Sequence, residues 1–347
     1  MNFKILAMDL HNTIYDEVME YGLALNEAII FWQETAQKFG KTITRERLYA
    51  ELSIAHQELA SDWDEDVWSL LPALQELNLS KQEFTQLCEQ AIYLRRVKSQ
   101  ELTKKTVYTG LVETLKKLKS QGVRIYIITE ATADIAMQAL DWLRLGGVVQ
   151  GVYTYPSRHA PVELEGTYHK VFSNYPNSST YLKKPHPFLL ADLSLDDAKL
   201  CGKIPNEVKT EEVFSIVHDE NLELKEFAKD MNLQADVSVK LQVRAGQYAE
   251  ILQEILQDML YVGDSKFKDG IMAQNAGVKF AWAAYGKQVA AEAAEDFEQS
   301  KQILYAVTGW DKQILQLTQE ASKSQRVHDL QPDFVLENPL SLWEREG

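Results

Sequence analysis

The chain has 347 residues, 45% of them apolar, which allows a large buried core in one big domain with appendages or in two domains. Its 36 Lys and Arg stand against 51 Asp and Glu, and the formal charge of -15 repels nucleic acid phosphates and anionic membrane surfaces while still permitting a local basic pocket. Cys88 and Cys201 form no CxxC pair or secreted disulfide framework. The apolar run near the N-terminus is too short for a signal peptide, and no stretch reaches the roughly 20 apolar residues of a membrane helix. The expectation is a soluble, cytoplasmic protein that engages neither nucleic acid nor membrane.

In chain order, the first predicted element is a strand over 3–8 ending before Asp9. Residues 15 to about 100 follow, Gly-poor, rich in Leu, Ala, Glu and Gln with helical periodicity, and carrying Trp32, Trp63 and Trp68. They read as a helical subdomain inserted after the first strand. The stretch from Gly110 to Ser120 places Leu111, Leu115 and Leu118 at helical spacing and stops before Gly122. A second strand over 123–128 precedes Thr129, and the stretch from Thr129 to Lys184 reads as extended loops. Residues 190–250 form an acidic, mixed insertion with β-like pieces at 213–217 and 237–243; a partner surface, an oligomer contact and a third lobe are all open for it. A third strand over 259–262 precedes Gly263 and Asp264, two helices are expected within 288–326, and a closing strand lies near 333–336.

The three apolar runs, bounded by small or acidic residues, have the character of parallel strands buried on both faces. With helices between them they predict an α/β fold with a doubly wound parallel sheet. The expected division is a Rossmann-like core of residues 1–14 and 101–347, with insertions at 190–250 and 288–326, and a helical domain of residues 15–100. Ligands of such sheets bind beyond the carboxyl ends of the strands, where Asp9, Thr129 and Asp264 would lie.

Four short motifs carry chemistry. Asp9-Leu10-His11-Asn12-Thr13 follows the first strand, Thr129 closes IYIIT, Lys184 opens KPHPF, and GDSKFKD supplies Asp264 and Asp269 ahead of AQNAG. In this order and at strand ends they resemble the haloacid dehalogenase superfamily, whose first loop reads DxDGT; here the first Asp and the Thr match. The resemblance covers about 1–14, 105–190, 258–286 and the final strand, not the insertions. It implies a hydrolase of small phosphorylated substrates, with a helical cap where 15–100 stands. A carboxylate nucleophile in phosphoryl transfer must be held in line with its charge neutralised, which agrees with that implication.

By this resemblance Asp9 attacks phosphorus and forms an aspartyl phosphate. It also binds Mg²⁺, with the backbone carbonyl of His11 and the side chain of Asp264 as further ligands and Asp269 as another ligand or an acceptor behind them. Thr129 donates to a phosphate oxygen, and Lys184 stabilises the nucleophile and the charge developing on the phosphoryl group. His11 departs from the pattern, because phosphatases of the family usually carry a second Asp there to protonate the leaving oxygen. A histidine can do acid and base work near neutral pH, so His11 is itself a catalytic candidate. The alternative is a protein with impaired turnover that serves as a phosphate-ligand binder or regulator. Asn12 replaces the usual Gly and is among the residues that best tolerate positive φ. The remaining histidines lack zinc-ligand spacing, and no GxSxG, GxxxxGK[ST] or GxGxxG motif is present.

Overall fold

The computed structural model describes residues 3–59, 64–157, 159–172, 184–218, 239–287, 294–307 and 330–344. The described residues fall into two compact units, one of residues 3–15, 108–287 and 330–344 and one of residues 16–107 and 294–307. Trp63 and the expected helix over 311–325 lie outside the described residues. Among the described residues no helix is long and apolar enough to cross a membrane.

The first unit is built on seven strands: β1 Ile5–Met8, β2 Arg124–Thr132, β3 Gly151–Tyr155, β4 Tyr168–Val171, β7 Met259–Gly263, β8 Lys279–Ala283 and β9 Phe334–Leu336. Two further strands, β5 Phe214–His218 and β6 Val239–Val243, pair antiparallel as a separate ribbon. The sheet runs β4-β3-β2-β1-β7-β8-β9, and every neighbouring pair is parallel. β1 and β7 are buried along their whole length, as expected of central strands covered on both faces. The predicted α/β class and parallel sheet are therefore present.

Between Thr129 and Lys184 the extended-loop expectation is corrected, since the segment contains the helix Ala133–Trp142 and strands β3 and β4. β4 (Tyr168-His169-Lys170-Val171) is half-buried throughout, as an edge strand is, and so lacks the apolar run that marks a central one. The helix Leu111–Ser120 buries Leu111, Thr114, Leu115 and Leu118, the i, i+3, i+4, i+7 face that its sequence announces. The helix Phe188–Leu200 is buried along most of its length and is tied to β2: Asp197 accepts from Arg124 at 2.5 and 3.0 Å and from the Tyr126 hydroxyl at 2.6 Å.

The second unit contains the helices Glu17–Lys38, Arg45–Leu59, Asp64–Leu70, Pro72–Gln75, Lys81–Thr106 and Ala294–Val307. Asp16 caps the first by accepting from the Met19 amide at 3.0 Å, and Ser80 with Glu83 forms a capping box on the fifth. Leu25, Ile29, Trp32, Leu48, Trp68, Leu74, Ile303 and Val307 share one core. The expected assignment of 288–326 to the sheet domain is thus corrected for the helix Ala294–Val307, which buries Ile303 and Val307 here. Ser300 explains how closely it docks: its hydroxyl donates to the carbonyls of Val18 and Met19, and a Cβ on Gly22 would sit 2.2 Å from that hydroxyl.

Candidate active site

Register alone brings the predicted residues to one edge. Met8 lies level with Ile127 on β2 and Val262 on β7, so Asp9 follows between them and Thr129 and Asp264 stand one step beyond. The Asp9 amide donates to the Val262 carbonyl at 2.9 Å, which fixes the start of the loop. Asn12 takes φ 54°, the left-handed conformation anticipated for it, and its amide donates to the Tyr15 carbonyl at 2.8 Å.

Lys184 joins the cluster from the far side of the sequence. It stands just ahead of the helix Phe188–Leu200, whose anchoring to β2 fixes the approach of the chain. Its ammonium donates to Asp9 Oδ1 at 2.6 Å and to Asp269 Oδ1 at 2.8 Å, with the Lys184 and Asp269 side chains almost wholly buried. Burial works against the Lys184 charge, but Asp269 and Asp9 outweigh it and hold the ammonium well above its ordinary range. Asp269 has no idle oxygen. Oδ1 also accepts from the Tyr261 hydroxyl at 3.0 Å, and Oδ2 accepts from the Ser265 amide at 3.1 Å. The single π-turn Lys266–Gly270 sets this up, because it returns Asp269 over the end of β7.

Asp9, Asp264 and Asp269 each present an oxygen within 4.8 Å of the others. Burial pushes the Asp9 carboxyl up to about 6, with Lys184 opposing and Asp269 adding to the rise. Burial likewise pushes Asp264 up to about 7, helped by Asp269 and Asp9 and opposed by Lys287 and Lys184. Three acids around one ammonium leave excess negative charge in a water-poor place, which is the condition that a bound cation relieves.

Thr129 is buried, and its hydroxyl oxygen accepts from the Ala131 amide at 3.1 Å within the end of β2, so it does not cap the helix, which starts at Ala133; the O–H proton stays available for donation. His11 is half-buried with its ring edge-on to Tyr15, centroids 5.5 Å apart. The structure also gathers residues that the motifs did not single out. Tyr261 orients Asp269, Lys268 donates to Glu130 beside Thr129 at 2.6 Å, and the Trp282 indole donates to the Asp264 carbonyl at 2.9 Å. Gly286 abuts the loop after β1 so closely that a Cβ there would lie 1.9 Å from the Asn12 carbonyl oxygen. Alternation along β7 could have found Tyr261, which points the same way as the strand-end Gly263; Trp282 and Gly286 had no signal in sequence.

A family model for haloacid dehalogenase-like hydrolases matches residues 3–189, more than half of the chain. The chain belongs to this hydrolase family. The match spans Asp9, Thr129 and Lys184, and the two acids after β7 lie beyond it. No curated protein matches the chain. Among solved structures it is similar to a 2-haloacid dehalogenase from Pseudomonas syringae pv. Tomato DC3000, at 14% identity over 98% of this chain and 96% of that one, TM-score 0.48. It is also similar to the HAD-hydrolase YfnB from Bacillus subtilis in a magnesium-bound form, at 14% identity over 84% and 92%, TM-score 0.39. A protein described as a predicted phosphoglycolate phosphatase from Haemophilus somnus 129pt is 14% identical over 100% and 99%, TM-score 0.38. These likenesses are too loose to carry an argument about chemistry.

Proposed function

We propose that the protein is a Mg²⁺-dependent phosphohydrolase acting on a small phosphorylated metabolite through a phosphorylated Asp9. The observation that carries this reading is the Lys184 ammonium, held between Asp9 and Asp269 beside Asp264 at the carboxyl edge of the sheet. The donor set suits a hard divalent cation, since it is all oxygen and its acids repel one another. Asp9, Asp264 and the His11 carbonyl would hold Mg²⁺, while Asp269 is chiefly occupied in aiming Lys184. When bound, the ion supplies positive charge to the phosphate oxygens.

In this reading a carboxylate oxygen of Asp9 forms a bond to phosphorus as the ester P–O bond breaks and its electron pair leaves on the alcohol oxygen. Lys184 and the Thr129 hydroxyl stabilise the charge on the phosphoryl oxygens. His11 gives the proton that the alcohol needs, then takes one from the water that cleaves the acyl phosphate, which restores Asp9 and releases phosphate. The test is phosphate release from a panel of phosphate esters and acyl phosphates with Mg²⁺, wild type against Asp9→Asn. A loss of about a thousandfold or more is expected in the variant. Equal release would overturn the reading.

One observation favours a second reading, a phosphate-ligand binder with impaired turnover: the His11 ring packs on Tyr15. The pH–rate profile of His11→Ala separates the two. A changed acid or alkaline limb supports proton transfer by His11 and an unchanged profile rules it out; tight Mg²⁺-dependent ligand binding without release supports the binder.

A further inference from the structure

Most charges at the carboxyl edge have partners. Lys184 is matched by Asp9 and Asp269, and Lys268 by Glu130. Lys266 and Lys287 are different. Among the described residues neither forms an ion pair, although the chain carries an excess of acids. Both ammonium groups instead lie against the Trp282 ring, at 4.5 Å and 5.7 Å from its centroid.

Their placement is built. The Trp282 indole is fixed by its hydrogen bond to the Asp264 carbonyl. Lys287 ends the 3-10 turn Ala284–Lys287, and that turn is pressed onto the nucleophile loop at Gly286 and held by the Tyr285 hydroxyl, which donates to the Thr13 carbonyl at 3.0 Å. Lys266 opens the π-turn that carries Asp269. Two cations that form no ion pair among the described residues, one of them close enough for its charge to act on Asp264, are thus aimed by the same elements that shape the cluster around Asp9.

They are not placed to serve the phosphoryl group itself. Trp282 is level with Gly263, on the strand beyond β7, so it lies two strands from β1 and three from Thr129 on β2. At about 4.8 Å per strand the Trp282 backbone stands about 10 Å from the line of Asp9, on the side away from Thr129. A phosphate seated at Asp9 would leave these ammonium groups for something further along the same molecule.

We propose that Lys266 and Lys287 form a second anion subsite, and that the substrate carries a carboxylate or a second phosphate several atoms from the transferred phosphoryl group. This rests on the reading of Asp9 as the nucleophile. It also makes the sheet unit a contributor to substrate choice.

The test uses non-hydrolysable probes, so that it does not depend on turnover. The full chain with saturating Mg²⁺ is titrated calorimetrically with phosphonoacetate, 3-phosphonopropionate, 4-phosphonobutyrate and 5-phosphonopentanoate, each against the alkylphosphonate of matched length. At one spacing or more, the carboxylated probe is expected to bind at least about tenfold more tightly. Lys266→Ala with Lys287→Ala abolishes that preference, weakening the carboxylated probes at least about tenfold more than the alkylphosphonates, and the double Arg replacement retains it. Equal affinities at every spacing, or an equal loss for both probe types in the double Ala variant, would overturn the subsite. Phosphate release that does not depend on Asp9, with carboxylate preference intact, would instead overturn the catalytic reading and leave the subsite standing.

Discussion

The cluster around Lys184 in the sheet unit and the core of the helical unit bury polar groups in opposite ways. Around Lys184 each oxygen of Asp269 accepts a hydrogen bond, and Asp9, Tyr261 and the Ser265 amide complete a network with little slack. In the helical core, among the described residues, the indole N–H groups of Trp32 and Trp68 and the Asn26 side-chain oxygen are buried without a partner. The Lys184 cluster is specified by hydrogen-bond geometry, where losing one member strands the others. The other is specified by volume and apolar contact, where a polar atom can be removed at little cost.

Lys184→Met probes this contrast most severely. It leaves Asp9 and Asp269 buried beside each other without their cation, and we expect a loss of about 3–5 kcal/mol in stability measured by denaturant, together with loss of phosphate release. A loss below about 1 kcal/mol would mean that the network is as forgiving as the helical core.

Titration is the next probe. The folded pKa values of Asp9 and Asp264 lie above the ordinary carboxylate range, at about 6 and about 7, so the folded protein keeps protons that the unfolded chain has released. Stability of the metal-free protein is therefore greatest below about pH 4 as far as these groups decide it, and falls as pH rises towards 7. Thermal melts between pH 5 and 7.5 should show a decline of about 5 °C that millimolar Mg²⁺ reverses. Asp264→Asn should flatten the decline. A profile that rises across this window in wild type would contradict the raised carboxyls.

The smallest effects make the sharpest pair. Tyr261→Phe removes the hydroxyl that donates to Asp269 and should cost about 1–2 kcal/mol. Asn26→Leu removes a side chain whose buried oxygen has no partner among the described residues of the helical core and should be neutral or stabilising by up to about 1 kcal/mol. Equal losses from the two would erase the distinction between the Lys184 cluster and the helical core.

The legibility of the molecule follows the same division. Asp9, Thr129 and Asp264 could be placed from sequence because each ends an apolar run, and register in a parallel sheet then brings strand ends together. Asn12 could be assigned its left-handed backbone because few other side chains tolerate it. β4 was hidden by its half-buried edge position, and β8 (Lys279-Phe280-Ala281-Trp282-Ala283) by being too short to separate from a buried helical turn. The partners of Asp269 were hidden because a π-turn, rather than a regular helix, returns that side chain to the strand end. No local pattern could reveal that Ser300 packs on Gly22, since the complementarity is steric and the two are remote in sequence.

That last contact bears on the order in which the protein can be made. The helical unit draws on residues 16–107 and then on 294–307, so about 190 residues must be synthesised before Ser300 can meet Gly22. At ribosomal speeds of roughly 5–20 residues per second this is an interval of about 10–40 s. Through that time Trp32 and its neighbours have only the first stretch to pack against, with the places of Ile303 and Val307 unfilled. The nascent chain thus displays an incomplete apolar surface while the sheet is still being translated. The helix Ala294–Val307 arrives as the piece that closes it.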